Sequence, residues 1–252
     1  MTEEYVADQT TVALYPEAAV GGYTSQDGGL EFYLRVNALV DENSHVLDFG
    51  AGRGWWAFEP WAALPKKVRW LRGRVARVVG TDVDPVVAEN PTVDEAHVVG
   101  LREDLPFAEN EFDVVIADYV LEHVDPADVA HVSGEVMRVL KPGGWFAART
   151  PNKWGYIGIV ARLVPNRLHV AVLKVVQPGR KVEDVFPTRY AMNTPSAVRE
   201  AFAGHQVVMY PLPGEPAYFG RNRYVLGFVR IVMKFVPRGL QPTYAIFVRK
   251  RG

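Results

Sequence analysis

The sequence predicts an α/β domain with a mostly parallel sheet, and three short apolar runs support this prediction. The first run, residues 46–49, leads into residues 50–54, where every second position is glycine, as is typical of a buried strand that ends in a turn. Two further runs, residues 77–82 and 112–119, also reach an aspartate at their carboxyl ends. Because ligands of open parallel sheets bind beyond the carboxyl ends of the strands, we expect a ligand site there.

The glycine turn and the second strand together indicate a nucleotide-like cofactor. Gly50, Gly52 and Gly54 allow positive φ angles, so backbone N–H groups can approach a ligand closely at the head of the next helix. Such a turn also occurs as a plain connection between a strand and a helix. Asp82, however, closes the next strand, where a dinucleotide-binding fold places the carboxylate that binds ribose hydroxyls. We therefore predict that Asp82 binds a ribose.

Turn residues and apolar periodicity predict the other elements. The predicted helices cover residues 29–40, 55–64, 128–140 and a segment that begins at Pro195 with Thr194 as its N-cap. The additional predicted strands cover residues 97–100, 145–149, 206–210 and 244–248. We expect residues 151–194 and 213–241, together with the N-terminal arm, to form a lid.

Composition excludes several classes of protein. A hydrophobic fraction of 48%, with 23% charged residues, is ordinary for a folded globular chain. The absence of cysteine excludes disulfides, thiolate nucleophiles and cysteine-ligated zinc, and we predict no metal site. The first ten residues lack a signal-peptide pattern, and no stretch has the roughly 18 uncharged residues that span a bilayer. We therefore expect a cytoplasmic protein with one domain over residues 1–252.

Charge is divided unevenly along the chain. Residues 1–135 contain 9 Lys and Arg against 25 Asp and Glu, whereas residues 136–252 contain 19 against 4. The two halves either neutralise each other within one fold or present the positive half to an anionic partner. Residues 224–236 have the pattern of a basic amphipathic helix, which is either a packed lid helix or a peripheral membrane contact. Nucleic acid is not an expected partner, because no recognition motif is present.

Four motifs resemble a known family. They are HVLDFGAGRG, VVGTDVDP, DLPFAENEFDVVIADYVLEHV and RVLKPGGWFAART, in this order. Over about residues 40–150 they resemble the class I S-adenosylmethionine-dependent methyltransferases, in the branch called methyltransferase type 11. The resemblance implies a Rossmann-like, seven-stranded, mostly parallel sheet with helices on both faces and a lid formed by insertions. It implies an arm and helix at 1–40, a cofactor-binding core at 41–150, and lid insertions with the last two strands at 151–252.

The resemblance also implies which residues bind S-adenosylmethionine. They lie in the glycine turn and at the strand ends: Asp48, Gly50, Gly52, Gly54, Trp55, Asp82, Val83, Asp104, Leu105, Asp118 and Tyr119. Leu101 stands where many relatives have an aspartate for the adenine amino group. Arg102, Glu103 or backbone groups are the alternatives for binding adenine.

Methyl transfer requires that a nucleophile be aligned with the sulfonium carbon and that water be excluded. Aromatic faces stabilise the sulfonium cation, and Tyr23, Trp55 and Tyr119 are the candidates. His123 is the candidate catalytic base for a hydroxyl acceptor, the alternative being a hydrogen bond to a backbone group. The candidate acceptor contacts, each of which has a structural alternative, are Tyr23, Asn152, His169, Arg189 and Tyr190.

The predicted function is methyl transfer to a small-molecule or lipid-linked acceptor, which is anionic if the positive half of the chain faces it. One alternative is an NAD-type oxidoreductase, but residues 50–54 read G-A-G-R-G and lack the third glycine of the dinucleotide fingerprint. The other alternative is a non-catalytic binding protein that retains the fold. The identity of the bound cofactor discriminates among the three.

Overall fold

The sheet has seven strands within the part of the chain that the computed structural model describes. That part comprises residues 9–58, 62–100, 102–156, 188–214, 223–233 and 235–252. The strands are β1 (His45–Phe49), β2 (Arg77–Asp82), β3 (Glu95–Val98), β4 (Phe112–Asp118), β5 (Leu140–Pro151), β6 (Gln206–Leu212) and β7 (Thr243–Arg249). Their order is β3-β2-β1-β4-β5-β7-β6, and only β7 runs antiparallel to its neighbours. This arrangement confirms the predicted seven-stranded, mostly parallel sheet.

The helices are α1 (Gln9–Leu14), α2 (Gly28–Asn37), α3 (Ala63–Arg69), α4 (Val129–Val139), α5 (Pro195–Ala201) and α6 (Arg223–Met233). Helices α2 and α3 cover one face of the sheet, and α4 and α5 cover the other. Asp27 caps α2 by accepting a hydrogen bond from the N–H of Leu30 at 2.8 Å. Thr194 caps α5, with Pro195 at its first position, as the sequence predicted.

Alternation along the strands creates two apolar layers, because successive strand residues point to opposite faces. Val46 and Ile116 pack on the side of α2 and α3 with the buried Phe32 and Val68. Leu47 and Val115 belong to the other layer, whose fully or almost fully buried members also include Val136 of α4, Phe146 and Phe202. The sheet is thus buried on both faces, and its ligand site must lie at an edge.

The helix predicted at residues 55–64 is wrong. Residues Trp55–Ala57 form a single 3-10 turn, and the helix of this region, α3, covers Ala63–Arg69 instead. Pro65 explains the difference, because it lies in the first turn of α3, where its missing N–H leaves no hydrogen bond unmade. The sequence was interpreted with Pro65 after the helix, whereas Pro65 belongs to its beginning.

The third strand begins and ends two residues earlier than predicted. It covers Glu95–Val98, because Gly100 is held in a turn by Glu103. The Glu103 carboxylate accepts a hydrogen bond from the N–H of Gly100 at 2.9 Å, and the Gly100 carbonyl accepts one from the N–H of Glu103 at 3.1 Å. This reciprocal pair ends the pairing with β2 at Val98.

Residues 157–187, which are most of the predicted lid segment 151–194, lie outside the described residues, and so do Leu101 and His169. The chain returns at residue 188 and docks on the end of β4, where the Glu122 carbonyl accepts hydrogen bonds from the N–H groups of Arg189 and Tyr190 at 2.6 and 3.2 Å. Among the described residues, no helix is long and apolar enough to cross a bilayer.

Candidate functional site

The glycine turn follows β1 at the carboxyl edge of the sheet. Gly50, Gly52 and Gly54 adopt φ angles of 77°, 53° and 64°, which L side chains rarely tolerate. A Cβ atom on Gly50 would overlap the side chain of Val120, and one on Gly54 would overlap the amide of Asn90. The turn therefore requires glycine for two reasons, its backbone conformation and the close approach of its neighbours.

Asn90 braces this turn from the segment that follows β2. Its Nδ2 donates hydrogen bonds to the carbonyls of Ala51 and Gly52, both at 3.0 Å. Its Oδ1 accepts from the N–H and the hydroxyl of Thr92, at 2.9 and 2.7 Å. Both side chains are buried. Asn90 was not a predicted site residue, since the only local signal is an Asn-Pro pair that marks a turn.

Asp82 closes β2, as the sequence predicted, and lies beside the glycine turn. Its Oδ2 accepts a hydrogen bond from the N–H of Gly52 at 2.8 Å, and its Oδ1 accepts from the N–H of Asp84 at 2.9 Å. An ionised carboxylate has about four lone-pair sites, so these two bonds leave capacity for ribose hydroxyls. The next residue, Val83, is 42% exposed. The carboxylate is thus fixed in orientation at the carboxyl end of β2.

A cluster of charged side chains lies beneath the site. The Asp118 carboxylate accepts two hydrogen bonds from the Arg149 guanidinium, at 2.7 and 2.8 Å, and lies 3.0 Å from a guanidinium nitrogen of Arg69. The hydroxyl of Tyr33 donates to the same carboxylate at 3.0 Å. Burial raises the pKa of Asp118, but Arg149 and Arg69 outweigh burial and lower this pKa to about 2. We call Asp118, Arg149, Arg69 and Tyr33 the ionic cluster.

The other members of the ionic cluster bind the carboxylate of Asp118. The predicted contact of Asp118 with the cofactor stays a prediction. The guanidinium of Arg69 also stacks on Trp56 and Tyr33, with its central carbon 4.7 and 5.0 Å from the ring centroids. Arg69 comes from residues 65–77, which contain six Lys and Arg and no acid. In the structure the guanidinium of Arg69 is directed inward, toward Asp118.

Asp48 lies next to this cluster, at the end of β1. It lines a cavity of about 20 Å³ together with Tyr33, Arg69 and Thr92, a volume that holds one water molecule. Burial raises the pKa of Asp48 to about 7; Arg69 opposes the rise, and Asp118 and Asp82 add to it. Burial thus favours the protonated form of Asp48.

Two aromatic side chains are presented to solvent near the glycine turn and the end of β4. Tyr119 adopts a φ of 62°, and its ring is 41% exposed. The Arg149 guanidinium lies 5.1 Å from the centroid of this ring, and the hydroxyl of Tyr119 is 3.4 Å from that of Thr243. Trp55, directly after the glycine turn, is 54% exposed. Tyr23, by contrast, packs against the apolar layer that contains α2.

His123 is partly exposed and closes the 3-10 turn Leu121–His123 after β4. Its neighbour Glu122 is only 4% exposed and was not a predicted site residue. The Thr150 hydroxyl donates to the Glu122 carboxylate at 3.2 Å and accepts from Nδ2 of Asn193 at 2.5 Å. Burial raises the pKa of Glu122 to about 7. Glu122, Thr150 and Asn193 thus join β4, β5 and the residues before α5.

The structure contradicts one predicted acceptor contact. Asn152 is 4% exposed, and its Nδ2 donates to the carbonyls of Gly239 and Gln241 at 2.9 and 2.8 Å. Its Oδ1 accepts from the N–H of Trp154 at 2.9 Å. Asn152 is therefore a structural residue that ties β5 to the segment before β7.

The other predicted contacts differ in exposure. Arg189 has a half-exposed side chain 3.6 Å from the Asp125 carboxylate, and Tyr190 adopts a φ of 55°. Asp104 has a side chain that is 82% exposed, whereas Leu105 is buried in the apolar layer on the side of α4. Asp104 therefore presents its side chain to solvent, and Leu105 does not. These residues remain predicted contacts.

Part of the sequence matches a known family of proteins. Residues 47–148 match the family model Methyltransf_11, described as a methyltransferase domain. An uncharacterized methyltransferase of Synechocystis sp. is 40% identical over 136 residues, which cover 50% of this chain and 59% of the relative. The matched region spans less than two thirds of the length of the curated relatives.

Solved structures share the fold at low identity. A methyltransferase from Archaeoglobus fulgidus that depends on S-adenosylmethionine is 15% identical, with a TM-score of 0.51 over 90% of this chain and 95% of its own. Geranyl diphosphate C-methyltransferase from Streptomyces coelicolor A3(2) is also 15% identical, with a TM-score of 0.53 over 88% and 76%. Residues 47–148 thus match a methyltransferase domain, and the described residues share the fold of solved methyltransferases.

Proposed function

We propose that this protein transfers the methyl group of S-adenosylmethionine to an acceptor bound at the carboxyl ends of β4 and β5. The observation that carries the proposal is the hydrogen bond of 2.8 Å between the N–H of Gly52 and the carboxylate of Asp82. This bond joins the glycine turn to the end of β2, the two places where a nucleoside with a charged tail is held in a parallel sheet.

The residues present fit this cofactor. The turn offers a cradle that any Cβ on Gly50 or Gly54 would fill, and backbone N–H groups there suit the methionine portion. Asp82 accepts hydrogen bonds from the ribose hydroxyls with its remaining lone pairs. Asp104 and Val83, both with exposed side chains, lie on the segments that would flank the nucleoside.

The bound cofactor supplies a methyl group activated by a sulfonium centre. The chain itself has to orient the acceptor and exclude water, since alignment of the reacting atoms lowers the barrier. Tyr119 and Trp55 present aromatic faces that stabilise a nearby cation by about 0.5–2 kcal/mol. Arg149 and Thr243 hold the ring of Tyr119 in place. We assign Tyr119 the role of contacting the sulfonium.

The acceptor contacts come from the segment that docks on Glu122. Arg189 and Tyr190 are held there by their backbone N–H groups, and the charge of Arg189 favours an anionic acceptor. His123 is positioned in the same region to accept a proton from an acceptor hydroxyl. The proposed acceptor is a small-molecule or lipid-linked anion, and the excess of positive charge in the second half of the chain favours its negative charge.

Calorimetric titration of the whole protein with S-adenosylmethionine, S-adenosylhomocysteine and NAD tests the proposal. We expect saturable binding of the first two ligands and none of NAD. Binding of NAD alone would favour the oxidoreductase alternative. Correctly folded protein that binds none of the three would favour the non-catalytic alternative.

A further inference from the structure

Helix α6 has one face that packs on the rest of the protein. Leu226 is 2% exposed, and Gly227 faces Leu14, the last residue of α1. The Arg230 guanidinium lies 5.5 Å from the ring centroid of Tyr15. These contacts anchor α6 on α1 and on the residues that follow it. The orientation of α6 about its own axis is therefore fixed.

The opposite face of α6 carries large apolar side chains in contact with solvent. Tyr224, Phe228 and Ile231 are 78%, 70% and 60% exposed, and Phe235, in the turn after the helix, is 80% exposed. The spacing of four and three residues places Tyr224, Phe228 and Ile231 on one side of α6, and Phe235 follows the helix. We call these four residues the apolar stripe. Single exposed apolar residues are ordinary, but a continuous row of them marks an interaction surface.

The charges around the apolar stripe indicate the chemistry of the partner. Arg223 precedes the stripe, with its guanidinium 5.5 Å from the ring centroid of Tyr224, and Arg238 follows it; both are exposed. Residues 216–252 contain eight Lys and Arg and neither Asp nor Glu. Exposed aromatic rings on one side of a helix with flanking cations are the features that bind the interface of an anionic bilayer.

The position of α6 in the chain relates this surface to the site. The chain leaves β6 at Leu212 and enters β7 at Thr243, and these two residues pair with each other. Thr243 also pairs with Pro151 at the carboxyl end of β5 and lies 3.4 Å from the Tyr119 hydroxyl. Helix α6 thus belongs to the connection between β6 and β7. This connection lies at the carboxyl edge of the sheet, where the candidate site also lies.

We propose that the apolar stripe docks this protein on the surface of an anionic membrane. The aromatic rings enter the headgroup region, while Arg223 and Arg238 bind the lipid phosphates. Docking in this orientation brings the carboxyl edge of the sheet to the bilayer, where a lipid-linked acceptor is delivered. That last step rests on the proposed methyl transfer, whereas the docking does not.

Vesicle sedimentation tests the docking. The protein is mixed with vesicles of phosphatidylcholine alone or of phosphatidylcholine and phosphatidylglycerol. We expect binding to the anionic vesicles that weakens as salt is raised. The double substitution Phe228→Ser with Phe235→Ser should weaken binding by about tenfold or more, since it removes apolar area that enters the interface. Arg223→Gln with Arg238→Gln should weaken binding by about thirtyfold at low salt.

Matched substitutions elsewhere serve as controls. Leu34→Ser removes an apolar side chain of α2 that is 49% exposed, and Lys67→Gln removes an exposed cation of α3; both should bind vesicles as the unchanged protein does. All variants should keep their thermal unfolding temperature and their affinity for S-adenosylmethionine, which separates docking from cofactor binding.

Two outcomes would overturn the proposal. Equal or absent binding to the two vesicle types would exclude docking on anionic lipid. A dimer in sedimentation velocity that the substitutions in the apolar stripe convert to a monomer would assign the stripe to a second copy of this chain.

Discussion

The guanidinium of Arg149 donates two parallel hydrogen bonds to the carboxylate of Asp118, at 2.7 and 2.8 Å, and both side chains are 6% exposed. The pair joins the carboxyl ends of β4 and β5 directly beneath Tyr119. A buried pair of this kind is costly to break, because the remaining charge has no compensation. The pair therefore fixes the ends of β4 and β5 to each other, so that strand residues as well as loops position the site.

Replacement of Arg149 should destabilise the fold. Arg149→Met leaves the buried Asp118 with Arg69 as its remaining cation, and we expect a loss of about 3–5 kcal/mol in the free energy of unfolding. Urea denaturation followed by circular dichroism measures this loss. The control is Arg102→Gln, which breaks an ion pair with Asp128 in which Arg102 is 73% exposed, and which should cost less than about 1 kcal/mol. Equal losses in the two variants would contradict the assigned role of the ionic cluster.

The glycine turn can be tested by a matched pair of substitutions. Gly54→Ala and Gly73→Ala both place a side chain at positive φ, at 64° and 74°, so both pay a similar backbone cost of about 1–2 kcal/mol. Only Gly54→Ala also overlaps Asn90, since nothing lies within 4 Å of a Cβ atom on Gly73. We expect Gly54→Ala to weaken S-adenosylmethionine binding by about tenfold or more in calorimetry. Gly73→Ala should leave this affinity unchanged, and a loss in both variants would contradict the account.

Glu122 should make stability fall as pH rises. Its folded-state pKa is raised to about 7 from an ordinary 4.5, so the favourable contribution of the protonated carboxyl is complete below about pH 4.5 and is lost as pH rises through 7. Glu122→Gln removes this dependence, and its stability relative to the unchanged protein should rise by up to about 3 kcal/mol between about pH 5 and pH 9. Urea denaturation across this range measures the difference, and a constant difference would contradict a buried, titrating Glu122.

The aromatic face of Tyr119 should distinguish a cation from a neutral ligand. S-adenosylmethionine carries a sulfonium, whereas S-adenosylhomocysteine has an uncharged sulfur. We expect Tyr119→Leu to weaken binding of the first by about 0.5–1 kcal/mol more than binding of the second. Tyr119→Phe keeps the ring and should show no such difference. Parallel calorimetric titrations measure both affinities, and an equal loss for the two ligands would exclude a contact with the sulfonium.

The features that sequence could predict are those that short segments determine. The apolar run before Gly50 and the aspartate that closes β2 are local patterns. The resemblance of the four motifs to a known family adds the seven-stranded sheet. Thr194 and Pro195 likewise mark the start of α5 within two adjacent residues. These local signals were sufficient for the sheet, the glycine turn and the position of Asp82.

The residues that sequence missed act through contacts between distant segments. Asn90 reaches the glycine turn 38 and 39 positions earlier, and Asp118 is paired with Arg149, 31 positions later. No periodicity or spacing reveals such partners, because they are fixed only when the strands pair. Asn152 was misassigned for the same reason: its amide is occupied by carbonyls 87 and 89 positions away.

The central claim is that the carboxylate of Asp82, held by Gly52, binds the ribose of S-adenosylmethionine. The most direct test is a calorimetric comparison of S-adenosylhomocysteine with its 2′-deoxy analogue on the unchanged protein, on Asp82→Ala and on Glu89→Gln, an exposed acid in the next turn. We predict that the unchanged protein and Glu89→Gln prefer the ribose form by about 1.5–3 kcal/mol, and that Asp82→Ala loses this preference. An undiminished preference in Asp82→Ala would contradict the claim, even if the overall affinity fell.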